Sequence, residues 1–248
     1  MARVNYSDIA NRYDQNPIRR NIAPDTTLNL ASGKPWNVLD LGCGTGSYIE
    51  IQSGLQEHKN IRWYGVDPSE DMLNVARKKA PFALFHMAGA EDLPFDDNFF
   101  DYVTSRFSFH HFADRNRALK EIFRVLKPGG YFKIVNLAPE LSPNWWIFRY
   151  FPASIKIDQQ RFWDLEFLKS KTIEVGFELR TTQLQLREKI ESSLILNEAR
   201  NRETSELLLI DDGEYRAGLR RLEEELAGHR HELVDWGLMV AELEFIKA

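Results

Sequence analysis

Short apolar runs rich in β-branched and aromatic residues alternate along the chain with stretches whose apolar positions recur at helical spacing. That alternation predicts βα units around a mostly parallel sheet. Six to seven runs read as strands: Trp36–Leu41, Ile61–Val66, Phe82–Met87, Phe99–Ser105, Tyr131–Leu137, Phe177–Leu186 and, at the carboxyl end, Leu238–Ile246. Between them, Met72, Val75 and Ala76 keep helical spacing over Ser69–Lys79, with Ser69 of a type that caps helix starts. A second helix is read over Asn116–Leu126, stopped by Lys127, Pro128 and the pair Gly129 and Gly130.

After the fifth strand the rhythm breaks. Residues 138–165 carry WWIFRYFP and then RFW, and residues 188–230 read as two helices inserted between the last two strands. No linker, repeat or low-complexity stretch marks a boundary, so the expectation is one domain over residues 1–248. Open α/β sheets bind ligands beyond the carboxyl ends of their strands, and loops there vary most easily. The two irregular stretches are therefore expected to cover a substrate.

Composition narrows the partners more than the fold. Hydrophobic residues at 43% and charged residues at 28% are ordinary for a globular protein. The net charge of −5, with no dense run of Lys or Arg, lacks the electrostatic footprint of a nucleic-acid binder. A small-molecule partner fits better. The single cysteine, Cys43, makes no internal disulfide, the amino terminus has no apolar core of a signal peptide, and no run of about 18 apolar residues exists. The chain is read as cytoplasmic, with no stable membrane insertion and no metal-binding cluster.

The candidate chemistry starts at VLDLGCGTGSY, residues 38–48. Glycines after a first strand let backbone approach a ligand, and a following helix start offers N–H groups. A dinucleotide site would use G-x-G-x-x-G with diphosphate against the helix start. Here the glycines are Gly42, Gly44 and Gly46, so the third comes one residue early, and Asp40 would lie beside the phosphates. Like charges in a partly desolvated site repel. A cofactor with an ammonium group and no phosphate removes that conflict. At the end of the second strand, WYGVDP places Asp67 and Pro68 about twenty residues on, where a carboxylate accepts both ribose hydroxyls. Capping of the next helix by Asp67 or Ser69 is the alternative.

Five segments in order, VLDLGCGTGSY, GVDPSEDMLNVAR, AGAEDLPFDDNFFDYV, SRFSFHHF and KEIFRVLKPGGYFKIVN, resemble the successive motifs of class I S-adenosylmethionine-dependent methyltransferases. The branch they look most like contains the ubiquinone and menaquinone biosynthesis C-methyltransferases and many small-molecule relatives. The resemblance covers residues 1–137 well, with YSDIANRYD similar to the family's amino-terminal helix, and the rest loosely. It implies a Rossmann-like, doubly wound α/β fold: a mostly parallel seven-stranded sheet with an antiparallel last strand and helical insertions.

Position by position, the resemblance implies that Asp40, Gly42, Gly44 and Gly46 hold the methionine portion of S-adenosylmethionine, Asp67 the ribose, and that Met72 packs against adenine. Cys43 lies in the same loop, where filling a small space is the competing role. Ala90 and Glu91 match the place where relatives bond the adenine edge, but the aspartate usual before that alanine is Gly89 here. Ser105 and Arg106 should lie beside the methionine. Tyr13 resembles an aromatic residue that closes over it, with core packing as the alternative.

Methyl transfer from a sulfonium asks mainly for alignment, worth about 7–11 kcal/mol, and a general base adds typically 10²–10⁴-fold only when the nucleophile arrives protonated. His110 and His111 are the candidate bases, against a structural role for the pair, whereas His86 is read as structural. The expected reaction is transfer to a small organic acceptor at O, N or C. A cofactor-binding sensor or partner protein without catalysis is the alternative from another class, and a nicotinamide-dependent dehydrogenase is disfavoured by the glycine spacing. The Asn/Asp-Pro-Pro-aromatic and Pro-Cys signatures of nucleic-acid base methylation are absent.

Trp145, Trp146, Phe148, Tyr150 and Phe151, followed by Phe162 and Trp163, form the densest aromatic region. Three readings stay open: the wall of an apolar or aromatic substrate pocket, a buried helix, or a membrane contact. In DGEYRAGLRRLEEELAGHR, Leu219, Leu222 and Leu226 share a face, and the opposite face is read as solvated, with Arg216 or Arg220 within reach of a carboxylated substrate.

Overall fold

Five parallel strands, joined by helices except between the third and fourth, are rich in apolar residues, as expected of strands covered on both faces. The structure is a computed structural model, and the residues it describes are 10, 13–15, 22–31, 34–55, 60–229 and 231–248. The strands are β1 (Trp36–Leu41), β2 (Ile61–Asp67), β3 (Leu84–Met87), β4 (Phe100–Arg106), β5 (Leu126–Leu137), β6 (Phe177–Glu191) and β7 (Leu233–Lys247). They form one seven-stranded sheet in the order β3-β2-β1-β4-β5-β7-β6. Strands β1 to β5 pair in parallel, and β7 runs antiparallel between β5 and β6, as the resemblance implied. The order reverses at β1, which puts the crevice of a doubly wound sheet beyond its carboxyl end.

The helices are α1 (Ser47–Leu55), α2 (Glu70–Lys79), α3 (Arg115–Val125), α4 (Trp146–Tyr150), α5 (Ala153–Arg161), α6 (Leu165–Glu174), α7 (Ser192–Asn201), α8 (Ser205–Leu209) and α9 (Asp212–Glu225). Ser69 caps α2 by accepting the Met72 N–H, and Asp114 caps α3 by accepting that of Arg117 at 3.0 Å. Several boundaries move from the sequence reading. The third strand starts at Leu84 because the Ala83 N–H closes a turn onto Ala80. The segment Lys127–Gly130 does not separate helix from strand: β5 begins directly at Leu126, and the left-handed Gly129 (φ 76°) accompanies a register irregularity between Phe100 and Tyr102. Residues 188–230 hold three helices, the short α8 lying between the two expected ones. Of the helix anticipated over residues 6–14, only Ala10, Tyr13 and Asp14 are described, and Tyr13–Gln15 is a 3₁₀ turn; the remainder lies outside the described residues.

Two compact units divide the chain. One comprises the described residues up to Asn136 with Glu166–Gln183 and Glu242–Ala248, and contains β1 to β4, most of β5 and the adjoining parts of β6 and β7. Its core gathers Val38, Leu39, Ile49, Leu73, Phe100, Val103, Leu119 and Phe132, all fully buried.

The other unit comprises Leu137–Leu165 and Leu184–Ala241, and includes both stretches expected as insertions. Here Trp145, Trp146, Phe148, Tyr150 and Phe151 are buried, with Phe151 stacked on Tyr215 at 6.1 Å. Gly218 lets α9 come close to Phe151, since a Cβ there would sit 2.4 Å from the ring. These aromatic residues therefore present no face to a membrane. The segment is buried, and Trp146 and Tyr150 also line a cleft of about 980 Å³ together with apolar residues such as Leu222 and Met239 and charged ones such as Arg149 and Glu188. Phe162 is buried as well, and Trp163 is half-buried. On α9, Leu222 and Leu226 are buried and Arg216 and Arg220 are exposed. Among the described residues no helix is long and apolar enough to cross a membrane.

Candidate active site

At the carboxyl end of β1 the chain turns three times through left-handed backbone, at Gly42 (φ 75°), Gly44 (φ 50°) and Gly46 (φ 75°), before entering α1. This conformation costs any other L-residue about 1–2 kcal/mol, which explains the spacing of the glycines. Space adds to the demand. A Cβ on Gly42 would lie 2.4 Å from the Cβ of Ser108, and one on Gly46 would lie 3.0 Å from that of Ala76, whereas one on Gly44 would meet nothing within 4 Å. Gly44 thus faces open space, and the outer two glycines face protein.

The N–H groups of this turn are largely committed. Gly42 and Cys43 both donate to the Val66 carbonyl, at 2.8 and 3.0 Å, and Gly46 donates to the Cys43 carbonyl at 2.9 Å. Gly44 donates to Asp67 Oδ2 at 2.9 Å, while Asp67 Oδ1 accepts the Ser69 N–H at 2.9 Å. Asp67 therefore ties the turn to the end of β2. Burial pushes its carboxyl above the usual range, and the Ser69 and Gly44 N–H groups oppose that rise. Each of its oxygens retains a second lone pair for a ligand hydroxyl.

Asp40 is 3% exposed. Burial raises its carboxyl to about 7, with the nearby Arg106 pulling down and Asp67 pushing up. No described side chain donates a hydrogen bond to it. The Arg106 guanidinium lies over the Tyr48 ring, 5.3 Å from its centroid. A buried carboxylate held near neutrality without a donor gains most from a cation.

Cys43 is buried against Gly65, where a Cβ would come within 2.9 Å of its sulfur, and burial first, then Asp40 and Asp67, push its thiol well above its ordinary value. That geometry matches the space-filling role. Pro68 is exposed, and Met72 and Ala90 are buried. Glu91 is engaged elsewhere: its Oε1 accepts the Ala113 and Asp114 N–H groups at 2.6 and 3.1 Å, and its Oε2 stands where a side chain at Gly89 would begin, 2.7 Å from a Cβ. The glycine that breaks the family pattern therefore gives Glu91 room to clamp the loop before α3.

Beyond β4, the Ser105 hydroxyl is buried 2.8 Å from that of Ser108, which in turn donates to the Leu41 carbonyl at 2.8 Å. His110 is buried, with Nδ1 3.0 Å from Asn136 Oδ1 at the end of β5, and its ring lies 4.0 Å from that of the half-buried His111. His86 packs edge-on to Phe95 at 5.0 Å.

Residues 39–134 match the sequence profile of a family described as a methyltransferase domain. Over that segment the chain is similar to methyltransferases. The branch read from its motifs is borne out by a ubiquinone/menaquinone biosynthesis C-methyltransferase of Campylobacter jejuni, 36% identical over 134 residues, which make up 52% of this chain and 57% of that protein. The chain spans about half the length of the curated relatives it matches. Among solved structures, a chain from Anabaena variabilis, provisionally assigned as a methyltransferase of an antibiotic biosynthesis pathway, matches with a TM-score of 0.69 at 21% identity, over 88% of this chain and 94% of that one. A phosphoethanolamine N-methyltransferase of Haemonchus contortus matches with a TM-score of 0.55 at 18% identity, over 96% of this chain and 52% of that one. These two likenesses show the fold.

Around the glycine turn lie two polar groups that sequence reasoning missed. Asp14 accepts Thr45 and Ser47 hydroxyls at 2.9 and 2.8 Å and pairs with Lys79 at the end of α2. Burial opposes its ionisation, but Lys79 and the hydroxyls outweigh it and hold the carboxyl below its usual range. Tyr13, the candidate aromatic lid, is the neighbour of this anchor and is half-buried. Deeper, Asp25 accepts Lys133 at 2.8 Å and the Tyr48 and Tyr102 hydroxyls at 2.7 and 2.6 Å, and Lys133 also pairs with Glu242 at 2.9 Å. No sequence motif signals either group, because the partners lie 65 and 108 residues apart.

Proposed function

We propose that the chain is an S-adenosylmethionine-dependent methyltransferase acting on a small organic acceptor at O, N or C. The observation that carries the reading is the pairing of a buried carboxylate, Asp40, to which no described side chain donates, with a glycine turn whose N–H groups are already given to Val66, Cys43 and Asp67. A diphosphate needs those N–H groups and repels that carboxylate. An α-ammonium group needs the carboxylate and leaves the N–H groups where they are. The residues present therefore fit an aminoacyl nucleoside, and a dinucleotide poorly. The Haemonchus relative is solved with S-adenosylhomocysteine, which agrees with this choice.

In this reading Asp40 and the open face at Gly44 receive the aminoacyl portion, Asp67 accepts ribose hydroxyls, and Met72 and Ala90 pack against the base. The bound cofactor supplies an electrophilic methyl group on a sulfonium, and the chain's own contribution is to align the acceptor and exclude water. With His110 Nδ1–H donating to Asn136 Oδ1, Nε2 carries the lone pair that removes a proton from an acceptor arriving as an acid. Quinone-type rings belong among the first acceptors to test, because the Campylobacter relative is named a C-methyltransferase of ubiquinone/menaquinone biosynthesis.

Calorimetry with S-adenosylhomocysteine and with NAD separates the ligand classes: binding of the first and silence with the second is expected, and binding of NAD alone overturns the proposal. Methylated product from a panel of phenols, quinols, amines and acids then separates an enzyme from a cofactor-binding sensor.

A further inference from the structure

We infer that β6 is a homodimerisation edge, along which two copies of the chain pair antiparallel about Leu184. β6 ends the sheet, with β7 as its one neighbour in the strand order, and it is 15 residues long, whereas the opposite edge strand, β3, has four. Long edge strands present a row of backbone donors and acceptors that templates further pairing, and proteins usually shorten, bulge or cover them. β6 is not short, and no described residue covers it: every residue from Glu178 to Leu186 is exposed, and among them Leu179, Leu184 and Leu186 are 38%, 48% and 50% exposed.

The sequence of the strand, FELRTTQLQLREKIE, decides what fits beside it. In a regular pleat Arg180, Thr182, Leu184, Leu186 and Glu188 share one face. An antiparallel twofold pairing centred on Leu184 sets Arg180 opposite Glu188 of the partner subunit, and Glu188 opposite Arg180 of the partner subunit. It also sets Thr182 opposite the partner's Leu186, Gln183 opposite the partner's Gln185, and the two Leu184 side chains against each other. Sliding the partner by one residue in either direction destroys this: Arg180 then meets Arg187 or Lys189 of the partner subunit. Directly opposed like charges disfavour a register and opposed unlike charges favour it, so the charge pattern selects the Leu184-centred register over both of its neighbours. A second copy of the same strand is thus the partner whose charges match.

Light scattering and sedimentation of the full chain over the micromolar to sub-millimolar range are expected to give twice the chain mass. Arg180→Glu, which opposes two pairs of glutamates across the axis, should weaken the dimer by roughly tenfold or more, and Glu188→Arg should do the same. Combining the two exchanges restores the opposite-charge pairs and should restore the dimer, a rescue that a misfolded variant cannot show. Leu184→Cys should form a disulfide-linked dimer under mild oxidation, because directly opposed residues bring their Cβ atoms within disulfide range. A chain that stays monomeric throughout, a dimer indifferent to Arg180→Glu, or a double exchange that fails to rescue would each overturn the inference.

Discussion

Replacing Asp40 by Asn should move stability and ligand affinity in opposite directions, and both magnitudes follow from one observation. The carboxyl titrates at about 7 in the folded chain against an ordinary 3.8. The folded state therefore binds more protons than the unfolded state between those values, so this group's contribution is full below about pH 4 and is lost as pH rises through 7. A separation of about three pH units corresponds to about 4 kcal/mol of destabilisation carried by ionised Asp40 at pH 8. Asn has nearly the same shape and no charge to desolvate. Thermal unfolding of the ligand-free protein should show Asp40→Asn gaining about 4 kcal/mol at pH 8, less than half of that at pH 5 and little at pH 3. Affinity behaves the other way. If the ligand's ammonium group is bound by ionised Asp40, wild-type affinity for S-adenosylhomocysteine should fall about tenfold from pH 8 to pH 6, and binding at pH 7 should release about half a proton, read from calorimetry in buffers of different ionisation enthalpy. The Asn variant should bind about 10- to 150-fold more weakly, the worth of a hydrogen bond to a charged group, with no dependence over this range. A flat wild-type profile, or a variant that keeps the pH dependence, would refute the assignment of Asp40 to the ammonium group.

Three further outcomes test the same construction, and a fourth tests a buried acid elsewhere. Gly42→Ala should lose about 2–5 kcal/mol of stability in urea unfolding, from left-handed backbone and the overlap with Ser108. Gly44→Ala should lose about 1 kcal/mol while weakening S-adenosylhomocysteine markedly in calorimetry, because its methyl group would occupy the open side of the turn. Asn136→Ala should lower kcat with little change in cofactor Kd for an acceptor that must lose a proton, since the imidazole of His110 loses the partner that sets its tautomer. Asp158 is buried, and burial first, then Glu206, raises it to about 8 against the opposing charge of Arg161. Its contribution to stability is thus full below about pH 4 and lost as pH rises towards 8, and Asp158→Asn should remove that slope from a plot of Tm against pH.

The parts of the fold that were legible in the sequence follow local rules. β1 occupies the six residues read for it, and α2 starts one residue after its serine cap, because an apolar run ended by glycine and a capped amphipathic stretch leave the backbone few choices. The three glycines were legible for the same reason: the turn needs φ above zero at each. What was missed depends on residues far apart. That Glu91 serves the loop before α3 requires knowing that Ala113 folds back onto it, 22 residues later. The Asp25–Lys133 pair sits on an apolar-looking strand and in a segment with no motif, and only the packed sheet brings them together. The ends of β6 and β7 were read too short because REKIE and LVDWG carry the charges and glycine of a loop; antiparallel pairing, not local preference, keeps them extended. The aromatic segment stayed open because burial and pocket lining ask for the same residues, and Trp146 and Tyr150 turn out to do both.

In the proposed function, selection between ammonium and phosphate ligands at this turn rests on two features that act on different atoms. Asp40 sets the sign of charge that the hollow accepts. The hydrogen bonds of Gly42, Cys43, Gly44 and Gly46 set which groups remain to be satisfied. Charge alone is a soft filter, since a carboxyl near 7 takes up a proton at modest cost when an anion approaches. The committed N–H groups make a harder one: a diphosphate would have to displace Asp67 from Gly44 and leave that carboxylate, itself raised by burial, short of a donor. Asp67 thus has a part to play besides the one proposed for it toward ribose hydroxyls. By holding the Gly44 N–H it removes a donor a dinucleotide would need, and by pushing Asp40 upward it raises the gain that a bound cation brings.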